Sequence, residues 1–333
     1  MKSREVQLKQ RPAGMPTPAD FAIAETDVPD PAENQVLVHN VCMSVDPYMR
    51  GRMVDRKSYV PPFQIGEALT GGAIGRVVSS NSDDFVAGDF VQSNYGWGEA
   101  FVANAQELTN LGELKATPSA YLGAIGMPGM TAYVGLLEVG ALKDGETVFV
   151  SGAAGAVGSI VGQIAKLHDC RVIGSAGSAE KVAWLTGELG FDYAFNYHDG
   201  SILQHLRTGA PDGLDVYFDN VGGDHLEAAI FHMRPFGRLP LCGAISQYNA
   251  TEPAPGPVNL TMAIGLGLTL RGFIVSHFNQ LAGKFRSDME SWIADGKVSY
   301  RETVLEGIER APEAFIGLFT GTNTGKMIVS LQG

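Results

Sequence analysis

At 333 residues the chain is long for one small domain and suits two. Hydrophobic residues make up 45% and charged residues 18%, the make-up of a soluble globular protein with ample core rather than of a disordered chain. The net charge of −12 disfavours nucleic acid and anionic membranes as partners, since both need a basic surface.

Residues 1–121 read as β-rich. Gln35 to Val41, Gly72 to Val78, Asp89 to Gln92 and Phe101 to Ala103 are short apolar or alternating runs, punctuated by Pro and Gly. The opening MKSREVQLKQRPAGMPTP has no apolar run, so no secretory signal is expected. From Leu122 the character changes. Gly126 to Tyr133 opens a helix that should run to Leu137, and strands then alternate with helices. Strands are expected at Tyr193–Tyr197, Val216–Phe218, Arg238–Cys242 and Leu268–Val275. Helices are expected at Ala179–Leu189, Ser201–Leu206, His225–Met233 and Asn279–Asp295. The stretch Leu260 to Val275 is broken by glycines and Arg271 and is too short to span a bilayer. The tail Gly325–Leu331 reads as a last strand, returning to the first domain. The division is therefore 1–121, completed by 301–333, and a dinucleotide-binding domain over 122–300.

The centre of the chain is 146–181. Thr147 to Val150 is a buried strand, and Gly152, Gly155 and Gly158 follow at three-residue spacing. A helical pattern then leads to a second strand from Arg171. Strand, glycine turn, helix and strand make a βαβ unit of dinucleotide-binding type. Glycine lets the chain turn sharply and lets the backbone approach a pyrophosphate, whose charge sits on the helix N-terminus. Ala153 and Ala154 fill the intervening small positions. The second strand ends in Gly174-Ser175-Ala176-Gly177, without the carboxylate of an NAD site, and Lys181 lies a few residues on. That favours NADP(H), although Lys181 beside Glu180 also reads as a solvated surface lysine.

Several stretches narrow the reading. Val45-Asp46-Pro47-Tyr48-Met49-Arg50, Gly126 to Tyr133, Gly152 to Gly158, Phe218-Asp219-Asn220-Val221-Gly222-Gly223, Ile245-Ser246-Gln247-Tyr248-Asn249 and Asn323-Thr324-Gly325-Lys326 resemble the zinc-independent double-bond reductases of the medium-chain dehydrogenase/reductase superfamily. That group includes prostaglandin reductases, plant alkenal reductases and bacterial curcumin reductase. The resemblance implies a Rossmann doubly wound parallel sheet plus a β-rich GroES-like domain. It also implies NADPH-dependent reduction of the C=C bond of α,β-unsaturated aldehydes or ketones, a cytoplasmic location and a homodimer. The dimer would form through the last strands of the Rossmann sheet, around Leu266 to Val275.

A catalytic zinc needs three protein ligands and an open position. Cys42 could occupy the first ligand position of the zinc-dependent relatives, but their Gly-His-Glu stretch appears here as Ile65-Gly66-Glu67. No metal is expected, and Cys42 is read as a small buried hydrophobe. Cys42, Cys170 and Cys242 form no disulfide framework and fit a reducing compartment. The seven histidines show no ligand spacing, and His225 and His232 read as surface or packing residues.

Enone reduction needs a donor for the negative charge that develops on the carbonyl oxygen. A tyrosine hydroxyl can supply it, because its pKa of about 10 keeps it protonated. Tyr248, after a Rossmann strand, and Tyr48, in the other domain and across the cleft in the resembled family, are the candidates. Either also reads as an amphipathic tyrosine at a domain boundary.

The resemblance assigns the cofactor to Gly152, Ala154, Gly155, Ala156, Val157 and Gly158 of the turn and to Gly177, with Lys181 and Tyr197 at the 2′-phosphate. Asn220 would face the cofactor after the fourth strand, the Cys242-Gly243 and Phe273–Val275 backbones would border the nicotinamide half, and Ile245 would also touch the cofactor. Asn323 and Gly325 would close over it. Thr131 has two readings, a hydroxyl toward the cofactor or a helix cap. An NADPH:quinone reductase of the same superfamily, or an NADPH-binding protein without turnover, are the alternatives.

Overall fold

In the computed structural model, which describes residues 1–331, buried and exposed side chains alternate along Lys2–Leu8 (β1). This strand pairs antiparallel with Phe21–Asp27 (β2). The hairpin lies outside the strands expected from the sequence, because a long connection joins it instead of a two-residue turn. Gln35–Ser44 (β3) is flanked by Ala73–Ser80 (β4) and Ala100–Asn104 (β6), and Phe90–Ser93 (β5) and Thr109–Asn110 (β7) extend the sheet beyond β4. Between β3 and β4 lies a short helix, Met49–Arg52 (α1).

The chain divides into two compact units. The first holds Met1–Leu122, Glu302–Asn323 and the residues from Met327 on. The second holds Gly123–Arg301 and Thr324–Lys326. In the second unit Met127–Val134 (α2) runs into a π-helical turn at Gly135–Val139, so the α-helix stops short of Leu137. Phe218 and Phe273 press on Gly135, where a Cβ would fall 2.5 Å from Phe273 Cζ. Six parallel strands follow: Thr147–Val150 (β8), Arg171–Ala176 (β9), Tyr193–Asn196 (β10), Leu214–Phe218 (β11), Met233–Leu241 (β12) and Thr269–Gly272 (β13). Their order, β10-β9-β8-β11-β12-β13, is that of a doubly wound dinucleotide-binding sheet.

The helices of this unit are Gly158–Leu167 (α3), Ala179–Gly187 (α4), Ile202–Gly209 (α5), Gly223–His232 (α6), Met262–Leu266 (α7) and Ala282–Ala294 (α8). β13 is shorter than the Leu268–Val275 expectation. Val275–Leu281 coils as a 3-10 turn before α8, so Phe273 and Val275 lie beyond the strand rather than in it. Phe149, Ile173, Phe195, Tyr217 and Leu239 form the apolar core of this sheet.

Back in the first unit, Glu302–Glu306 (β14) and the helix Ala311–Thr320 (α9) precede Lys326–Ser330 (β15), which pairs antiparallel with β3. Phe315 and Ala314 of α9 join Trp97, Met49 and Met43 in the core there. No helix of the described residues is long and apolar enough to cross a membrane.

Candidate functional site

The glycine turn opens where β8 ends. Gly152 has φ +58°, a left-handed conformation that favours glycine. At Gly158 space decides instead: a Cβ would sit 2.5 Å from the Gly152 carbonyl oxygen and 2.8 Å from Ala153 Cα. α3 begins at Gly158, and its Ser159, Ile160 and Val161 N–H groups donate to the Gly155 and Val157 carbonyls at 3.1, 3.1 and 3.0 Å, so the helix is anchored on the turn and the positive end of its dipole falls at Ala154–Val157. That cradle fits a pyrophosphate. Gly325, at φ +69°, donates its N–H to the Ala154 carbonyl at 2.8 Å, so the segment before β15 is tied to the same turn. A Cβ on Gly325 would fall 2.0 Å from the Arg301 carbonyl oxygen. Asn323, half-buried, belongs to the first unit.

A buried carboxylate that the sequence reading did not single out organises the strand ends. Asp219 Oδ1 accepts from the Tyr217 hydroxyl at 2.7 Å, from the Gly222 and Val221 N–H groups at 2.7 and 3.0 Å, and from Ser151 Oγ at 3.3 Å. Its carbonyl accepts the N–H groups of Cys242 and Gly243 at 2.9 and 3.0 Å. Burial pushes the Asp219 carboxyl up, against hydrogen bonds that favour its ionised form. The loops after β8, β11 and β12 are thus pinned to one residue. The readable signal was an Asp directly after an apolar strand and before Asn-Val-Gly-Gly. Asn220 is held beside it, its Nδ2 donating to the Ser151 carbonyl at 2.8 Å and its N–H to Ser151 Oγ at 3.0 Å.

Tyr248 follows the 3-10 turn Ile245–Gln247. Its hydroxyl accepts the Ala244 N–H at 3.3 Å, and a Cβ on Gly243 would lie 3.1 Å from that hydroxyl and 3.4 Å from the Asn220 carbonyl oxygen. Tyr248, Gly243 and Asn220 therefore meet at the carboxyl ends of β11 and β12. Cys242 joins them, its thiol pushed up to about 12 by burial and by the nearby Asp219, so it stays protonated. Ile245 N–H donates to the Asn220 carbonyl at 3.3 Å. Phe273 packs edge-on against Phe218, with ring centroids 6.3 Å apart.

At the far end of β9 no carboxylate follows Ala176. Ser178 caps α4, its Oγ accepting the Lys181 N–H at 3.3 Å. Lys181 is half-buried, not a fully solvated surface lysine, and burial pulls its ammonium down. A Cβ on Gly177 would sit 3.1 Å from the Tyr197 hydroxyl, so these two meet. Behind Tyr197 lies His225, 5% exposed, whose ring meets the Tyr197 ring edge-on at 5.5 Å. Of the two histidines read as surface or packing residues, His225 packs, and His232 makes a hydrogen bond to the Ala210 carbonyl at 2.7 Å.

Thr131 is no cap. Gly126 holds that position, and the Thr131 hydroxyl, one turn into α2, donates back to the Met127 carbonyl at 2.8 Å. In the first unit Tyr48 stands at the start of α1, its ring against the apolar core and its phenol pushed up by burial and by Asp46. Cys42, on β3, is buried and its thiol is raised to about 12, whereas Glu67 is exposed. Among the described residues no three His, Cys, Asp or Glu side chains gather as a metal site.

A six-stranded parallel sheet in this order, with a glycine turn between β8 and α3, together with a β-rich unit in the same chain, is the architecture of a medium-chain dehydrogenase/reductase. Family models described as "N-terminal domain of oxidoreductase" and "Zinc-binding dehydrogenase" match residues 4–111 and 156–293. The second range excludes Cys42 and Glu67. The chain is 42% identical to the NADPH-dependent curcumin reductase of Escherichia coli K12, over 100% of this chain and 98% of that one. It is 43% identical to the 2-alkenal reductase (NADP(+)-dependent) of Nicotiana tabacum, over 100% and 98%. The crystal structure of CurA from Vibrio vulnificus in complex with NADPH superposes with TM-score 0.95 at 42% identity, covering 99% of each chain. The chain belongs to the zinc-independent double-bond reductase group of this superfamily.

Proposed function

We propose that this chain, an NADP-dependent oxidoreductase, reduces the C=C bond of α,β-unsaturated aldehydes or ketones. The observation that carries the reading is the hydroxyl of Tyr248 beside Gly243 and Asn220, at the strand ends of a sheet whose glycine turn fits a pyrophosphate. Bound NADPH supplies a hydride to the β-carbon. The chain's own residues bind and orient. The turn Gly152–Gly158 receives the pyrophosphate, and Lys181 and Tyr197 receive the 2′-phosphate. Asn220, Gly243, Ile245, Phe273 and Val275 border the nicotinamide half, and Asn323 and Gly325 close over it. Tyr248 donates to the carbonyl oxygen, directly or through a ribose hydroxyl, as enolate charge builds. Tyr48 contacts the substrate as a second hydroxyl. No step needs a metal, and the three free thiols suit a reducing cytoplasm.

The test is NADPH oxidation with an enone, with a quinone and with no acceptor. The expected result is turnover with the enone, undiminished after exhaustive chelation. Turnover with the quinone alone would make the chain a quinone reductase, and none with either would leave it a binding protein.

A further inference from the structure

We propose that Gln163 is a positioning residue for the glycine turn: from inside α3 it holds residues 299–301, and through them Gly325, against the Ala154 peptide. The inference rests on the proposed role of the turn as the pyrophosphate seat. Gln163 is buried, at 5% exposure, in a helix where Ile160, Val161 and Ile164 are buried apolar residues. A buried amide is costly unless its donors and its acceptor are bonded. Here they are, and mostly outside the helix. Nε2 donates to the Ser159 carbonyl and to the Ser299 carbonyl, each at 2.9 Å. Oε1 accepts the Ser299 N–H at 2.8 Å and the Ser299 hydroxyl at 3.4 Å. The side chain thus exchanges two bonds with the backbone of one residue, as a neighbouring strand would.

Two residues on, Arg301 carries the constraint toward the turn. Its carbonyl accepts the Lys326 N–H at 2.9 Å, and Gly325 is pressed against that same carbonyl. Its guanidinium lies over the Trp184 ring of α4, 5.1 Å from the centroid, and pairs with Glu188. Gly325 then donates its N–H to the Ala154 carbonyl at 2.8 Å. The Gly155 N–H, on the same peptide plane, donates to the Gly152 carbonyl at 3.0 Å. That plane is therefore fixed from both sides, by the turn itself and by a segment far along the chain. Every residue in this path belongs to the second unit. A turn held in one conformation before the cofactor arrives binds it without the cost of ordering.

Two measurements test this, and the first uses the wild-type chain, so a variant that fails to fold does not decide the matter. Coupling is reciprocal, so NADPH should slow hydrogen exchange at the Ser299 amide by about the same factor as at Gly325 and Lys326. In the second, Gln163→Met keeps the bulk and removes the amide. Without cofactor its Gly325 and Lys326 amides should exchange about tenfold faster, and its NADPH Kd should rise about tenfold, with the enone KM at saturating NADPH within about twofold of wild type. Ser299→Ala should leave all of these unchanged, because the tether runs through the Ser299 backbone. A Ser299 amide indifferent to NADPH in the wild type, or a folded Gln163→Met with wild-type exchange at Gly325, would overturn the tether. Faster exchange with an unchanged Kd would instead sink the turn as the pyrophosphate seat, and the inference with it.

Discussion

At the scale of single residues, two side chains carry opposite lessons. Tyr248 was readable as a hydroxyl after a strand. What the sequence left open is its neighbour, the Gly243 backbone, where a side chain would have crowded the hydroxyl at 3.1 Å. Under the proposed function, Tyr248→Phe keeps the ring and removes only the donor. Losing an oxyanion donor costs about 2.7–4 kcal/mol where it acts alone, and a ribose hydroxyl would share the work. Steady-state kinetics should therefore show enone turnover reduced by up to about a hundredfold and an NADPH KM close to wild type. An unchanged turnover would make Tyr248 a wall of the pocket.

His225 was readable only as a histidine on a helix, because burial depends on what packs over it. In the fold it is neutral, its pKa pulled down to about 4 by burial, with Asp224 opposing the shift, and its Nε2 has no hydrogen-bond partner among the described residues. The unfolded chain takes up that proton near pH 6.5 and the folded chain resists it to about pH 4. The contribution of neutral His225 is complete above pH 6.5 and is lost as pH falls toward 4, amounting to at most about 3 kcal/mol. His225→Phe should flatten the fall in urea midpoint between pH 7 and 4.5 relative to wild type. Parallel curves would show that another group sets the acid limb.

Among elements, strong periodicity and glycine punctuation were legible, and weak periodicity was not. β8, α3 and β9 stand where strand, turn and helix patterns meet. The β1–β2 hairpin is hard to read because β1 opens on Lys2, Arg4 and Glu5, β2 ends in Glu25 and Asp27, and no tight turn marks it. β14 joins through β15 a sheet begun far earlier in the chain, and α9 packs Ala314 and Phe315 into the core beside it, neither of which a local pattern marks. The π-helical end of α2 is set by Phe218 and Phe273 against Gly135, contacts distant in sequence. The turn itself is the element most sensitive to a single methyl group. Gly158→Ala would place a Cβ 2.5 Å from the Gly152 carbonyl oxygen, a backbone atom that cannot yield without opening the cradle. We expect a loss of about 1–3 kcal/mol in stability and about tenfold or more in NADPH affinity, measured by unfolding and by fluorescence titration. Wild-type affinity in a folded variant would argue against the turn as the pyrophosphate site.

For the whole molecule, assembly turns on the end of the six-stranded sheet. Among the described residues β13 pairs with β12 and with no other strand. Nearby apolar side chains face outward: Phe236 is 78% and Ile264 85% exposed, and Phe236 lies close to Gly267. An open edge with exposed apolar groups is a pairing template that folded proteins do not leave uncovered. We propose a second copy as the occupant. Light scattering should report twice the 35.4 kDa chain mass, and Ile264→Asp should shift the population toward monomer. A wild-type monomer at micromolar concentration would refute the dimer.

The sequence by itself determined the βαβ unit, its glycine turn and the missing carboxylate after β9, because strand and helix periods and backbone freedom at glycine are local properties. It also placed Tyr248 after a strand and Tyr48 in a loop of the other domain. Only the tertiary structure decided that Asp219 ties three loops together, that Tyr197 lies over Gly177 with His225 behind it, and that the Thr131 hydroxyl is turned back into its own helix. Each of those depends on which residues far apart in sequence are brought within hydrogen-bond or ring contact, and on burial, which changes the charge a side chain can carry. Packing of that kind is written in the fold as a whole and in no single stretch of the chain.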